Sequence, residues 1–262
     1  MQVQQLEADI YALIGETYKS NSVAVIDRDD ALLVDAMADQ RDAESLRSFI
    51  EDDLKKRVRL IICTHYFSDH LAALRLFPQS LIVAHKNYRH TFDSELFRSE
   101  EERGHFVEPD ILISDEMTIR WGRYNLDIFH NPGHTMSTLN IDIPEADLLL
   151  TGDTVVGNIV YIAYSTPQMF FTALERARRR TRCHIIGSHL GRREGSAIDH
   201  ALHYLASLQS RVRSARETSD SKEAILNIEL KDCLASGLEA SSFESIFHKR
   251  NLDSIVERNL FA

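Results

Sequence analysis

Residues 64–70 read Thr64-His65-Tyr66-Phe67-Ser68-Asp69-His70 and follow directly on the apolar run Leu60-Ile61-Ile62-Cys63. Such a run, bounded by polar residues, has the pattern of a buried strand. Two imidazoles and a carboxylate therefore leave one strand end together. Neutral imidazole and carboxylate suit zinc, iron or manganese, so the loop is a candidate metal cradle. The chain holds 12 histidines, and any one of them is more often a polar loop residue, so the cradle needs partners from elsewhere.

Those partners recur at later strand ends. Tyr124–Phe129 runs into His130-Asn131-Pro132-Gly133-His134-Thr135, where Pro132 and Gly133 fix a sharp turn that leaves His134 just past a strand. Asp147-Leu148-Leu149-Leu150-Thr151-Gly152-Asp153 carries an acid out of a buried strand. That is costly unless the carboxylate is solvated, hydrogen-bonded or bound to a cation. Cys183-His184-Ile185-Ile186-Gly187-Ser188-His189 is one more exit. Each residue has a bland explanation alone: His65 can satisfy a backbone carbonyl, Asp153 can cap a turn, and His134 and His189 can pack beside glycine. The combination of His65, Asp69, His70, His134, Asp153 and His189, all after apolar runs, points to a metal site.

Between these exits the spacing predicts short strands over 9–15, 22–27 and 31–35, then a helix capped by Asp42 with Leu46, Phe49, Ile50 and Leu54 on one stripe. A short helix over 71–77 ends at Pro78, and Ser80–His85 is a further buried strand. Residues 86–105 turn polar, with Tyr88, Phe92 and Phe97 interspersed, and read as a mobile or helical excursion forming a rim near the site. Strands follow over 111–113, 117–121, 124–129 and 139–143, with a helix from about Ser165 to Arg180. Beyond Gly195 the pattern is helical, with stripes through Ile198, Leu202, Leu205 and Leu208 and through Ile246, Leu252, Ile255 and Val256. No linker separates these helices, which are expected to dock on the main domain. The expected division is 1–194 and a helical extension, 195–262.

At 262 residues, 44% hydrophobic and 27% charged, the chain has the composition of a globular protein. Thirty Lys plus Arg against 40 Asp plus Glu give a net charge of −10, which argues against a nucleic-acid or anionic-lipid surface. Three scattered cysteines, Cys63, Cys183 and Cys233, exclude a disulfide framework or a cysteine metal site. The N-terminus has no cationic start with an apolar core, and no run approaches the ~18 apolar residues of a membrane helix. A soluble, cytoplasmic protein is the expectation, acting on a small molecule, with a homodimer compatible with these features.

The order of His65, Asp69 and His70, then His134 in Pro-Gly-His-Thr, Asp153 in Thr-Gly-Asp-Thr and His189 closing a late strand resembles the metallo-β-lactamase-fold superfamily over roughly residues 9–193. The segment Phe247-His248-Lys249-Arg250-Asn251-Leu252 and its preceding helices resemble the helical extension of some metallohydrolase-like members. The resemblance implies an α/β chain folded as a four-layer αββα sandwich, with metals at one edge of two sheets. It also implies that His65 and His134 bind a first metal, Asp69, His70 and His189 a second, and that Asp153 bridges. The family's first motif is His-x-His-x-Asp-His, and here Phe67 stands in place of its second histidine. Phenylalanine coordinates nothing, so the second position should be the tighter. Tyr66 is expected to point away, and His85 to support the site from behind the ligands.

Three functions follow as expectations. The first is a metal-dependent hydrolase of a small ester, thioester, lactone or amide, using zinc (one or two ions) or else iron or manganese, with Asp69, His65 and His134 as catalytic residues. The second is a mono- or di-iron protein handling oxygen, although its relatives carry Glu where Phe67 stands. The third is a ligand-binding or regulatory protein whose catalysis has faded. Arg192 and Arg193 are candidates for an anionic group, although exposed salt bridging is the commoner role. Tyr161 and Tyr164 are candidates for oxyanion donors, although packing is the commoner role there. The basic cluster Arg176, Arg178, Arg179, Arg180 and Arg182 reads as a solvated helix face.

Overall fold

Alternating and continuous apolar runs become 13 strands in two sheets in the computed structural model, which describes residues 1–95, 99–180, 182–217 and 220–262. The first sheet takes its strands in chain order: β1 (Gln2–Glu7), β2 (Ile10–Ile14), β3 (Asn21–Asp27), β4 (Asp30–Val34), β5 (Arg57–Ile62), β6 (Leu81–His85) and β7 (Ile111–Ile113). Neighbours are antiparallel up to β4 and parallel from β4 to β7. The second sheet contains β8 (Glu116–Trp121), β9 (Tyr124–His130), β10 (Leu139–Ile143), β11 (Leu148–Gly152), β12 (His184–Gly187) and β13 (Arg192–Glu194), with β11 and β12 parallel. Strand β11, buried throughout, is a continuous apolar run, whereas β10, equally buried, alternates Leu139, Ile141 and Ile143 with Asn140 and Asp142, whose side chains are hydrogen-bonded.

Three apolar clusters define the layers. Val25, Leu32, Ile62, Leu126, Ile141 and Ile186 fill the space between the sheets. Leu33, Leu46, Ile50, Ile61 and Phe77 lie on the outer face of the first sheet, under α1 (Gln40–Ser48), whose end continues as a π-turn over Phe49–Asp53. Phe129, Leu149 and Ile185 meet α4 (Pro167–Arg178), α5 (Ala197–Arg216), α6 (Ser221–Leu226) and α7 (Ser242–Glu257) on the outer face of the second. This is the αββα sandwich. Residues 195–262 share that outer cluster through Tyr204, Leu205, Leu252 and Ile255 rather than building a core of their own. No described helix is long and apolar enough to cross a membrane.

Several local expectations are corrected. The helix is capped by Asp39, whose carboxylate accepts the Asp42 N–H; Asp42 instead accepts the Glu16 and Thr17 N–H groups. Residues 71–77 form only a 3-10 turn at Leu74–Leu76, because the chain is occupied bonding back to Ala36 and Met37 through Ala73 and Ala72. Strand β1 was not expected: Gln2–Glu7 is mostly polar because it is an exposed edge. The 86–105 excursion holds α2 (Tyr88–Ser94) and α3 (Glu100–Gly104), and Phe97 lies outside the described residues.

Candidate metal centre

Strands β4, β5, β11 and β12 end at one edge of the sandwich, and a buried carboxylate ties their ends together. Asp35, left at φ +59 just after β4, accepts the Thr64 N–H at 2.7 Å and the Thr64 and Ser188 hydroxyls at 2.8 Å each. Thr64 and Ser188 immediately precede His65 and His189, so one side chain sets the position of two candidate ligands. Burial raises the Asp35 pKa, opposed by His70 and by these hydrogen bonds. Gly152 turns the end of β11 at φ +52, where an added Cβ would lie 3.0 Å from Thr64 Cβ; glycine lets the two strand ends close.

The histidines are then oriented one by one. With the Thr64 hydroxyl proton given to Asp35, His65 Nδ1–H donates to Thr64 Oγ1 at 3.1 Å. His134 Nδ1–H donates to the Tyr161 carbonyl at 3.2 Å, and His189 Nδ1–H to the Tyr18 carbonyl at 2.9 Å. In all three, fixing the proton on Nδ1 leaves the Nε2 lone pair for the centre. His70 sits with Nδ1 3.7 Å from Asp35 and Nε2 3.2 Å from Asp69.

What results is two triads of ligand atoms. His65, His134 and Asp153 form one and Asp69, His70 and His189 the other, the atoms within each lying within 4.8 Å of one another. The Nε2 atoms of His65, His70 and His134, His70 Nδ1 and Asp153 Oδ1 are buried without a hydrogen-bond partner. Buried polar atoms are rarely left so; His70 Nδ1 faces Asp35, and the other four, gathered in one place, fit a cation as the missing partner. The electrostatics agree. Burial would raise Asp153, yet His189, 3.3 Å away, holds its carboxyl well below the usual range. Burial would lower His189, yet Asp153 and Asp69 push it up to about 9. Burial and the neighbouring His70 hold His65 well below its ordinary value, and burial likewise lowers His134.

Phe67 lies inside this arrangement. Its ring is 5.2 Å from His65, 5.3 Å from His134 and 4.5 Å from Tyr164, so it closes one side of the first triad with hydrocarbon. Tyr66 points away, donating its hydroxyl to the Val107 carbonyl at 2.6 Å. His85 does not stand behind the ligands: it stacks on His130 at 3.8 Å and bonds to the Ser114 carbonyl, because β6 ends farther along the sheet than β5.

A cleft of about 510 Å³ opens over the triads. Tyr161 and Tyr164 line it, as does Phe247 of α7, which meets the Tyr161 ring at 4.9 Å. Arg192 and Arg193 are not among its lining residues; Arg193 instead donates to Asn158 Oδ1 at 2.9 Å. Arg176 and Arg180 pair with Glu116 at the start of β8. Two contributors escaped the sequence reading. Asp35 ends an apolar run just as Asp153 does, and that signal was present. Glu95, which accepts the Ser68 N–H at 2.8 Å and its hydroxyl at 2.7 Å and so fixes the turn carrying Asp69, sits in a charged stretch with no such signal.

Residues 15–201 match the family model described as the metallo-beta-lactamase superfamily. The chain is 24% identical over 139 residues to a metallo-beta-lactamase type 2 of Bacillus cereus, covering 53% of this chain and 52% of that protein. It is 27% identical over 109 residues to a hydroxyacylglutathione hydrolase of Bartonella tribocorum, covering 40% and 39%. It thus spans about half or less of these two curated relatives. Among solved structures it superposes on a metallo-beta-lactamase from Pontibacter korlensis with TM-score 0.65 at 19% identity, over 78% of this chain and 98% of that one. A stereoselective inverting sec-alkylsulfatase from Pseudomonas sp. gives TM-score 0.73 at 14% identity, over 98% of this chain and 50% of that one. The chain belongs to the metallo-β-lactamase superfamily.

Proposed function

We propose that this protein is a metal-dependent hydrolase of a small ester, thioester, lactone or amide. The observation that carries the reading is the set of unpartnered, buried ligand atoms converging in two triads beneath an open cleft. Asp69, His70 and His189 hold the tighter position, Asp153 faces both triads, and His65 with His134 offers a weaker one beside Phe67. A bound zinc, or iron or manganese in its place, supplies an acidified water and polarises a carbonyl. The chain's own residues do the rest. Where that weaker position is empty, the Nε2 atoms of His65 and His134, neutral because burial lowers both pKa values, are free to accept a proton from water and return it to a leaving group. The Tyr161 hydroxyl, whose pKa burial raises, stays protonated and donates a hydrogen bond to charge developing on the substrate. Phe67 and Tyr164 keep bulk water from that side.

Hydrolysis across an ester and thioester panel, with elemental analysis of protein purified without added metal, tests the reading. Asp69→Ala is expected to lose turnover by at least about a hundredfold while keeping the wild-type circular dichroism spectrum. Full activity in that variant, or after exhaustive chelation, overturns it; an iron-rich protein inert on every ester would favour redox chemistry instead.

A further inference from the structure

Helix α7 has one bolted stripe and one that faces the cleft. Along the first, Glu244 accepts the Asn158 N–H at 2.7 Å and its side-chain amide at 2.9 Å. His248 accepts the Tyr204 hydroxyl and donates to the Ile228 carbonyl, each at 2.9 Å. Asn251 accepts the Ile162 N–H at 2.9 Å and donates to the Val160 carbonyl at 2.7 Å, and Ile255 is buried. Spacings of four, three and four keep these residues on one face. Phe243, Phe247, Arg250 and Ser254 repeat the same spacing one position earlier and so form the adjoining stripe. Phe243 packs 5.4 Å from the His189 ring, and Phe247, Arg250 and Ser254 line the cleft.

Two arginines face that cleft, and they are committed unequally. Arg258 is spent on the carbonyls of Ile162, Ala163 and Ser165. The Arg250 guanidinium lies 5.1 Å from the Phe247 ring centroid and beside the Tyr161 hydroxyl, whose burial-raised pKa it holds back. Among the described residues, no carboxylate forms an ion pair with it. Beyond a hydrogen bond to Tyr161 its donors are uncommitted, and such a guanidinium, backed by aromatic rings and anchored on a bolted helix, is suited to a planar anion. Glu95, Glu102, Asp253 and Glu257 line the same cleft and repel any second negative charge.

We propose that Arg250, braced against the Tyr161 oxygen, docks a single carboxylate on the substrate through its remaining N–H groups, which leaves the one Tyr161 proton for the reacting carbonyl. The inference rests on the hydrolase reading: the favoured substrates are monoanionic acyl compounds whose apolar body lies along Phe67, Tyr164 and Phe247 while the scissile carbonyl meets the triads.

Two measurements on the metal-reconstituted full chain test it. The first compares kcat/KM for the 4-nitrophenyl monoester of succinate and for 4-nitrophenyl butyrate in wild type, Arg250→Gln and Arg250→Lys. The carboxylate-over-neutral ratio is expected to fall about tenfold in Arg250→Gln, mainly through KM, with Arg250→Lys recovering part. The second is calorimetric binding of 4-phenylbutyrate and 4-phenylbutanamide. The acid is expected to bind Arg250→Gln about tenfold more weakly, the amide much less affected. Equal ratios and equal 4-phenylbutyrate affinities in the two proteins overturn the proposal, and a carboxylate held by the metal alone would give that result. If neither ester is turned over, the hydrolase reading is what has failed, and the calorimetry decides the subsite by itself.

Discussion

At the scale of single residues, Phe67 is expected to decide the metal balance. It replaces a nitrogen ligand with a ring packed on His65 and His134, which leaves the first triad short of a fourth protein ligand while the second keeps its set. After dialysis against a weak chelator, wild type is expected to keep about one ion per chain, and Phe67→His to keep about two, by elemental analysis. Equal, tight double occupancy of wild type would contradict this. His85 carries a pH consequence instead. Burial, and then the stacked His130, depress it to about 4 from its ordinary 6.5. The unfolded chain therefore takes up a proton near pH 6.5 that the folded chain refuses until about pH 4, and stability falls as pH drops through that window. In metal-free protein, the thermal midpoint of His85→Gln is expected to decline less steeply from pH 6.5 to 4 than that of wild type. The ligand candidates were legible because each sits at the end of an apolar run. Asp35 was equally legible in principle, but a carboxylate serving Thr64 and Ser188 rather than the centre itself has no spacing signature.

At the scale of elements, α7 is the part the sequence hid. Its apolar stripe announces a docked helix, but nothing in the periodicity says that the neighbouring stripe faces the metal centre. The polar residues that fix its register, Glu244 and Asn251, look like solvent-facing positions until the loop they bind is seen. Gly157 is shaped to that contact: it sits at φ +67, and an added Cβ would lie 2.5 Å from Glu244 Oε1. Glu244→Ala would strand the buried Asn158 N–H and amide, at a cost of about 1–3 kcal/mol. It is also expected to raise KM by loosening the Tyr161 side of the cleft; denaturant titration and steady-state kinetics measure the two effects. The short helix expected over 71–77 failed for a related reason, since the backbone there bonds to Ala36 and Met37, partners distant in sequence.

At the scale of the whole molecule, the layers were readable because buried strands and amphipathic helices have different periods, and the edge that gathers their ends follows from the order of the exits. The helical extension was readable as helices but not as half of a core. Phe129 and Leu149 of the second sheet share one cluster with Leu205 and Leu252. A chain ending at residue 194 is therefore expected to be insoluble or to bind hydrophobic dyes strongly; a soluble, cooperatively melting product would show that the sandwich stands alone. The same sharing orders events in time. All six ligand candidates are synthesised before Phe243, Phe247 and Arg250, yet the edge they build is expected to close only when residues 195–262 dock. An ion that loads while α7 is still undocked would enter by an open route, whereas exchange in the finished protein would have to proceed past the docked helix, so loading and release need not follow the same route.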